Sequence, residues 1–128
     1  MLIQDKLKSK YPDDEEKWRF LKEEAITGRD YSELTTKLCI MNMMLHGDGH
    51  RNIMNGDSLT WAANQEQEHN KYDVVLTNPP FGSSAVPTDE LYKFPIRNRN
   101  PENLFLQHVF LSLNKTGRCG IVILLDYL

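Results

Sequence analysis

The stretch that most restricts the fold of this chain is Tyr72-Asp73-Val74-Val75-Leu76-Thr77-Asn78-Pro79-Pro80-Phe81. Val74, Val75 and Leu76 form a short apolar, largely β-branched run of the kind that fills a buried strand. The run meets two consecutive prolines, which lack an amide hydrogen and fix φ, so no sheet ladder continues through them. A rigid loop must therefore follow the strand. Its prolines hold the preceding carbonyls and the Asn78 side chain in a set direction, with the ring of Phe81 next in line. Such a loop suits a site that accepts hydrogen bonds from an amino group while a flat ring stacks nearby. At ordinary residue frequencies, Asn-Pro-Pro-aromatic arises by chance in roughly one chain per thousand of this length. A proline-stiffened turn without chemistry is the competing reading.

Length and composition narrow the class. A chain of 128 residues is one domain at most (1–128), large enough to bury a core. Its 40% hydrophobic and 26% charged residues are ordinary for a soluble globular protein. The net charge of −3 argues against a free-standing nucleic-acid binder, so DNA contact would need a local patch or partner chains. Cys39 and Cys119 fall in apolar surroundings without metal-ligand spacing, which predicts reduced, buried thiols in a cytoplasmic protein. Met1-Leu2-Ile3-Gln4-Asp5-Lys6 turns charged too early for a signal peptide, and no apolar run approaches the ~20 residues of a membrane span. His46, His50, His69 and His108 form no ligand set, so no metal is expected.

Helical and strand patterns alternate along the chain. Leu2, Ile3 and Leu7, among Lys6, Lys8 and Lys10, read as an amphipathic helix ending before Pro12. Pro12 to Glu16 is a polar loop that caps a second helix, whose apolar face is Trp18, Phe20 and Leu21. Glu24 to Gly28 reads as a short strand. Tyr31 to Leu45 is the clearest helix, with Leu34, Leu38, Met41 and Leu45 at i, i+4, i+7 and i+11, closed by Gly47. Met41, Met43 and Met44 read as core filler. A strand at Asn52 to Met54 and a polar segment at Trp61 to His69 precede the strand Asp73 to Thr77. Gly82 to Pro101 is a long irregular stretch carrying Lys93, Arg97 and Arg99; stretches of that length are functional or disordered. Asn103 to Leu113 is a helix with Leu104, Phe105, Val109, Phe110 and Leu113 inward, closed by a turn at Asn114-Lys115-Thr116-Gly117. Cys119 to Leu125 reads as an apolar strand buried on both faces of a parallel sheet. The alternation implies an α/β doubly wound sheet.

In such sheets ligands bind at the carboxyl ends of the strands. Three ends here carry suitable groups. At Gly28-Arg29-Asp30 the acid could accept from both hydroxyls of a ribose, or equally cap a helix. At Asn55-Gly56-Asp57 the glycine admits a close ligand and the carboxylate could receive an exocyclic amine, although Asn-Gly-Asp is also ordinary turn chemistry. The third, Asn78 to Phe81, is the strongest signal, and its order along the chain with the other two strengthens both.

Beyond these patterns, the sequence resembles the modification (methyltransferase) subunit of type I restriction-modification systems. The likeness runs through Ile26-Thr27-Gly28-Arg29-Asp30, the helix ending Met41-Asn42-Met43-Met44-Leu45-His46-Gly47, Asn55-Gly56-Asp57-Ser58-Leu59, Tyr72 to Gly82, Asn103-Leu104-Phe105-Leu106-Gln107-His108 and Gly117 to Ile123. It implies a partial, Rossmann-like, S-adenosylmethionine-dependent methyltransferase fold and methyl transfer to N6 of adenine in double-stranded DNA. Implied partners are the DNA-specificity and restriction subunits. By the resemblance, Asn78 and the Pro79 carbonyl accept the two amine hydrogens, Pro80 stiffens the loop, and Phe81 stacks on a flipped base. Preorganised acceptors of this kind stabilise the charge that develops on nitrogen. Stacking returns roughly 1–3 kcal/mol per base against a few kcal/mol for flipping. Asp30, where the family usually has Glu, would hold the cofactor ribose; Asp57 would take the amino group of the cofactor's adenine, with Asn78 alongside. Lys93, Arg97 and Arg99 would meet DNA, or lie on a solvated loop.

The family's glycine-rich loop after its first strand has no counterpart here. The expectation is a chain that starts just after that loop and stops after the fifth strand, lacking the central first strand of the order 3-2-1-4-5 and the last strands. Exposed strand edges would follow, with a separate chain able to supply the missing N-terminal part. Two other functions stay open: a protein-glutamine or RNA amino-methyltransferase, and a non-catalytic remnant that binds partner subunits.

Overall fold

A computed structural model describes residue 6 and residues 9–47, 49–60, 71–80 and 94–123. The expected features at Leu2, Ile3 and Leu7, at 61–69, and at 124 and 125, together with Phe81 and Lys93, lie outside the described residues. The fold is mixed α/β, with two compact units, Met1–Ser58 and Leu59–Leu128, each holding a small parallel sheet. None of the described helices is long and apolar enough to cross a membrane.

In the first unit, helix α1 (Glu15–Glu23) starts at Asp14, whose carboxylate accepts the Lys17 amide at 3.1 Å. Glu15 and Glu16 add negative charge where the helix dipole favours it. Leu21 is buried, and half-buried Trp18 donates its indole N–H to the Tyr11 carbonyl at 3.3 Å. Phe20, expected inward, is exposed. The strand expected at Glu24 to Gly28 forms later, as β1 (Gly28–Asp30), because the amides of Glu24 and Ala25 both bond the Phe20 carbonyl and the helix end consumes that stretch. β1 pairs in parallel with β2 (Ile53–Asn55), Gly28 opposite Ile53 and Asp30 opposite Asn55.

Between these strands runs α2 (Glu33–His46), capped by Ser32 and closed by Gly47 at φ 70°, whose amide bonds the Met43 and Met44 carbonyls. Its inward stripe is Thr36, Ile40 and Met43, and it packs on β1 and β2. The apolar stripe legible in the sequence faces outward instead, with Leu34 68% and Leu45 84% exposed. Met41 and Met44 are exposed too, so they do not fill a core, and Cys39 is an exposed free thiol. The helix is apolar on opposite sides, and Thr36 turns inward because its hydroxyl reaches the Asp30 and Ser32 carbonyls at 3.3 and 3.0 Å.

The second unit pairs β3 (Tyr72–Thr77) in parallel with β4 (Leu113–Ile121), with α3 (Pro101–Ser112) between them in sequence. Asn100 caps α3, accepting the amides of Glu102 and Asn103, and Pro101 occupies the first turn, where its missing N–H is harmless. The turn expected at Asn114 to Gly117 forms inside β4 as a bulge. Tyr72 opposes Leu113 and Val74 opposes Arg118, so the intervening residues loop out, with Asn114 accepting the Thr116 amide at 3.0 Å. The strand consequently starts at Leu113, not at Cys119. It is not buried on both faces: Cys119 and Gly120 are exposed, as are Val74 and Leu76 on β3. A single helix packs on this pair among the described elements and can cover only one side. The core consists of Leu59, Phe94 and fully buried Leu104, with Phe105 against them. Val109 is buried as expected, but Phe110 is 80% exposed.

Candidate functional site

Two strand ends converge in the first unit. The Asp30 carbonyl closes β1 and receives the Gly56 amide and the Asn55 side-chain amide, each at 3.0 Å. Asn55 Nδ2 also donates to the Tyr31 carbonyl at 3.0 Å. These bonds bring Asp30 and Asp57 to the same carboxyl edge of the β1–β2 pair, both side chains exposed.

Asp30 is not the helix cap that its position also allowed. Ser32 takes that role, accepting the Thr35 amide at 3.2 Å, while Asp30 Oδ1 accepts the Ser32 amide at 2.8 Å. That bond fixes the carboxylate and leaves Oδ2 without a hydrogen bond among the described residues. Gly56 adopts φ 150°, which side chains rarely tolerate, and a Cβ there would lie 2.8 Å from Arg29 Nη1. The Arg29 guanidinium therefore packs against the Gly56 backbone, between the two strand ends that carry the carboxylates. Tyr31, whose carbonyl bonds Asn55, is exposed.

In the second unit β3 ends as the prolines demand. Thr77 is the last strand residue, and its carbonyl accepts the Val122 amide at 3.1 Å. Pro79 is fully buried, whereas Asn78 before it and Pro80 after it are exposed. A buried proline between exposed neighbours anchors the loop by packing as well as by its fixed φ. Leu76, Thr77, Asn78, Gly120, Ile121 and Val122 line an open concavity of about 540 Å³. Among the described residues nothing bonds the Asn78 amide. A carboxamide so anchored and exposed, with no bond among the described residues, can accept from an external amino group.

Arg97 and Arg99 are exposed on the stretch before α3. Among the described residues no group of three or more His, Cys, Asp or Glu could hold a metal ion. Two residues escaped the sequence reading. Asn55, which ties two strand ends, was legible only as part of a turn. Gln107, whose amide bonds the backbone of Ile96 eleven residues earlier, had no periodic signal to mark it.

The fold is mixed α/β with small parallel sheets, an architecture whose ligands bind at the carboxyl ends of the strands. A family model for N-6 DNA methylases matches residues 1–128, and the chain belongs to that family. It is 34% identical to the type I restriction enzyme EcoEI methylase subunit of Escherichia coli, over 79% of this chain and 21% of that protein. The EcoKI methylase subunit of E. coli K12 is 30% identical, over 77% of this chain and 19% of its own length. A solved chain from work on complex assembly and conformational transition of the type I R-M system superposes with a TM-score of 0.73 and 32% identity. That match covers 88% of this chain and 23% of the other. The chain thus spans about a fifth of the length of the curated relatives it matches.

Proposed function

We propose that this chain is the amine-orienting part of a type I modification subunit, acting in methyl transfer from S-adenosylmethionine to N6 of adenine in DNA. The observation that carries the reading is the exposed Asn78, without a hydrogen bond among the described residues, beside buried Pro79 at the end of β3. In this reading both units belong to one catalytic domain, 1–128, and their parallel strand pairs are parts of a doubly wound Rossmann-like sheet.

The residues of the β1–β2 edge fit the cofactor. Asp30 has a carboxylate oxygen with no hydrogen bond among the described residues, which suits ribose hydroxyls, and the exposed Asp57 carboxylate suits an exocyclic amine. When bound, S-adenosylmethionine supplies an electrophilic methyl group. The chain's own residues do the rest. The adenine amine is a poor nucleophile because its lone pair is delocalised into the ring. Asn78 Oδ1 accepts one of its hydrogens, draws the nitrogen toward tetrahedral geometry and stabilises the positive charge that grows there. The Pro79 carbonyl, expected as the second acceptor, belongs to a residue with almost no exposed surface in this structure. Phe81 stacks on the flipped base. A strong base is not required until the methylated amine sheds its proton. The protein functions with DNA-specificity and restriction subunits, which supply target choice and cleavage.

The test is methyl transfer from tritiated cofactor by the chain assembled with its specificity subunit, given duplex DNA, tRNA and a glutamine peptide in parallel. Label is expected in duplex DNA alone, and Asn78→Ala is expected to abolish it. Because Asn78 is exposed and has no hydrogen bond among the described residues, the same variant should unfold within about 0.5 kcal/mol of wild type. Undiminished turnover by Asn78→Ala, or label in peptide or tRNA, overturns the reading.

A further inference from the structure

Charge is unevenly distributed along this acidic chain. Residues 91–123 carry Lys93, Arg97, Arg99, Lys115 and Arg118 against a single acid, Glu102. Arg97 and Arg99 are exposed, flank half-buried Asn98, and form no ion pair or hydrogen bond among the described residues. Exposed and without an ion pair among the described residues, both can be reached by a group outside the chain.

The stretch that bears them is neither helix nor strand, yet it is held at three points. Phe94 is buried in the core with Leu59 and Leu104. Asn100 caps α3, and its own amide bonds Asn98 Oδ1 at 2.8 Å. Between these anchors Gln107 grips Ile96 from the flank of α3. Its Oε1 accepts the Ile96 amide at 2.8 Å and its Nε2 donates to the Ile96 carbonyl at 2.9 Å. A side-chain amide that satisfies both backbone groups of one residue replaces a strand partner and fixes the chain where it leaves that residue. The residue that leaves it is Arg97. Ile96 itself is 67% exposed, so this bidentate grip, not side-chain burial, holds the segment there.

We infer that Gln107 is a positioning residue that holds Arg97 and Arg99 as a prearranged pair for phosphates of the DNA backbone. The inference rests on the DNA-methyltransferase reading above and deepens it. Guanidinium groups suit phosphate oxygens in geometry and charge. Ordering the segment before DNA arrives removes an entropy cost from binding. The pair contributes register and affinity, not sequence choice.

The test is fluorescence anisotropy of a labelled duplex titrated with the full chain over a salt series. Arg97→Ala and Arg99→Ala are each expected to reduce the slope of log K against log salt by roughly 0.9. Gln107→Met keeps the volume but loses both bonds. It is expected to weaken binding by roughly tenfold, the scale of leaving one residue's backbone unordered, and to lower the slope as the arginine variants do. Amide exchange at Ile96 should accelerate in Gln107→Met while Leu104 and Val109 keep their protection, which separates a local release from unfolding. If the arginine variants weaken binding while Gln107→Met matches wild type in affinity and slope, the positioning role is overturned and the DNA reading stands. If wild type shows no salt-dependent binding, or the arginine variants keep its slope, the loop is no DNA contact and the inference fails. Methyl transfer by the assembled subunits is scored separately, so that failure is distinguishable from failure of the catalytic assignment.

Discussion

The side-chain amide of Asn55 lies 3.0 Å from the backbone carbonyl of Asp30, tying the last residue of β2 to the last residue of β1. A second bond of the same nitrogen, to the Tyr31 carbonyl, extends the tie past the strand end. Asn55→Ala is expected to destabilise the first unit by about 1–2 kcal/mol, the worth of one to two such bonds. Asn55→Asp should be worse at neutral pH, because it sets a carboxylate against two carbonyl oxygens. Urea unfolding of both variants checks the order; equal stabilities would mean that the tie contributes little.

Gly49 is buried, and a Cβ built on it would sit 2.2 Å from the Lys22 carbonyl oxygen and 2.7 Å from its carbon. The clash is with the backbone of α1, which cannot swing aside. Gly49→Ala should therefore destabilise by about 3 kcal/mol, the upper end for overpacking. Gly120→Ala meets only Leu76 Cδ2, the free end of a side chain that is itself exposed, and should be much milder. Thermal unfolding of the two variants side by side tests the contrast.

Leu104 has no exposed surface and Phe110, on the same helix, is 80% exposed. Leu104→Ala should lower stability by about 2–5 kcal/mol, whereas Phe110→Ala should stay within about 0.5 kcal/mol. A large loss at Phe110 would mean that this face of α3 is covered in solution.

The Lys17 side chain and amide, both bonded to Asp14, hold its carboxyl below the ordinary carboxylate value of 3.8. The folded state therefore binds this proton less readily than the unfolded chain. The cap's contribution to stability is complete above the ordinary value and fades as pH falls through the lowered one. In an NMR titration the Asp14 carboxyl should move up toward its ordinary value in Lys17→Met. An unchanged midpoint would remove Lys17 as the cause.

Several features were legible without coordinates because they are local. Gly47 closes α2 in a left-handed conformation that a glycine after an apolar run foretells. Asp14, followed by two glutamates, announces the start of α1. The arrest of β3 before Asn78 follows from proline chemistry, which needs no partner. Other expectations misplaced a boundary or a face. The segment 114–117 has genuine turn chemistry, but only pairing with β3 makes it a bulge inside β4 and not a gap before it.

What the sequence by itself determined is the order of helices and parallel strands, the acidic start of α1, the glycine that closes α2, and the proline-stiffened strand end at Asn78. All of these depend on backbone preferences of neighbouring residues. Tertiary structure alone decided that α2 turns Thr36 inward and its leucine stripe outward, and that Asn55 and Gln107 bind backbone far along the chain. Periodicity states which side chains can be buried together. Which of two apolar faces is used, and which distant carbonyl a polar side chain reaches, depends on the surface packed against it, and no single segment encodes that surface.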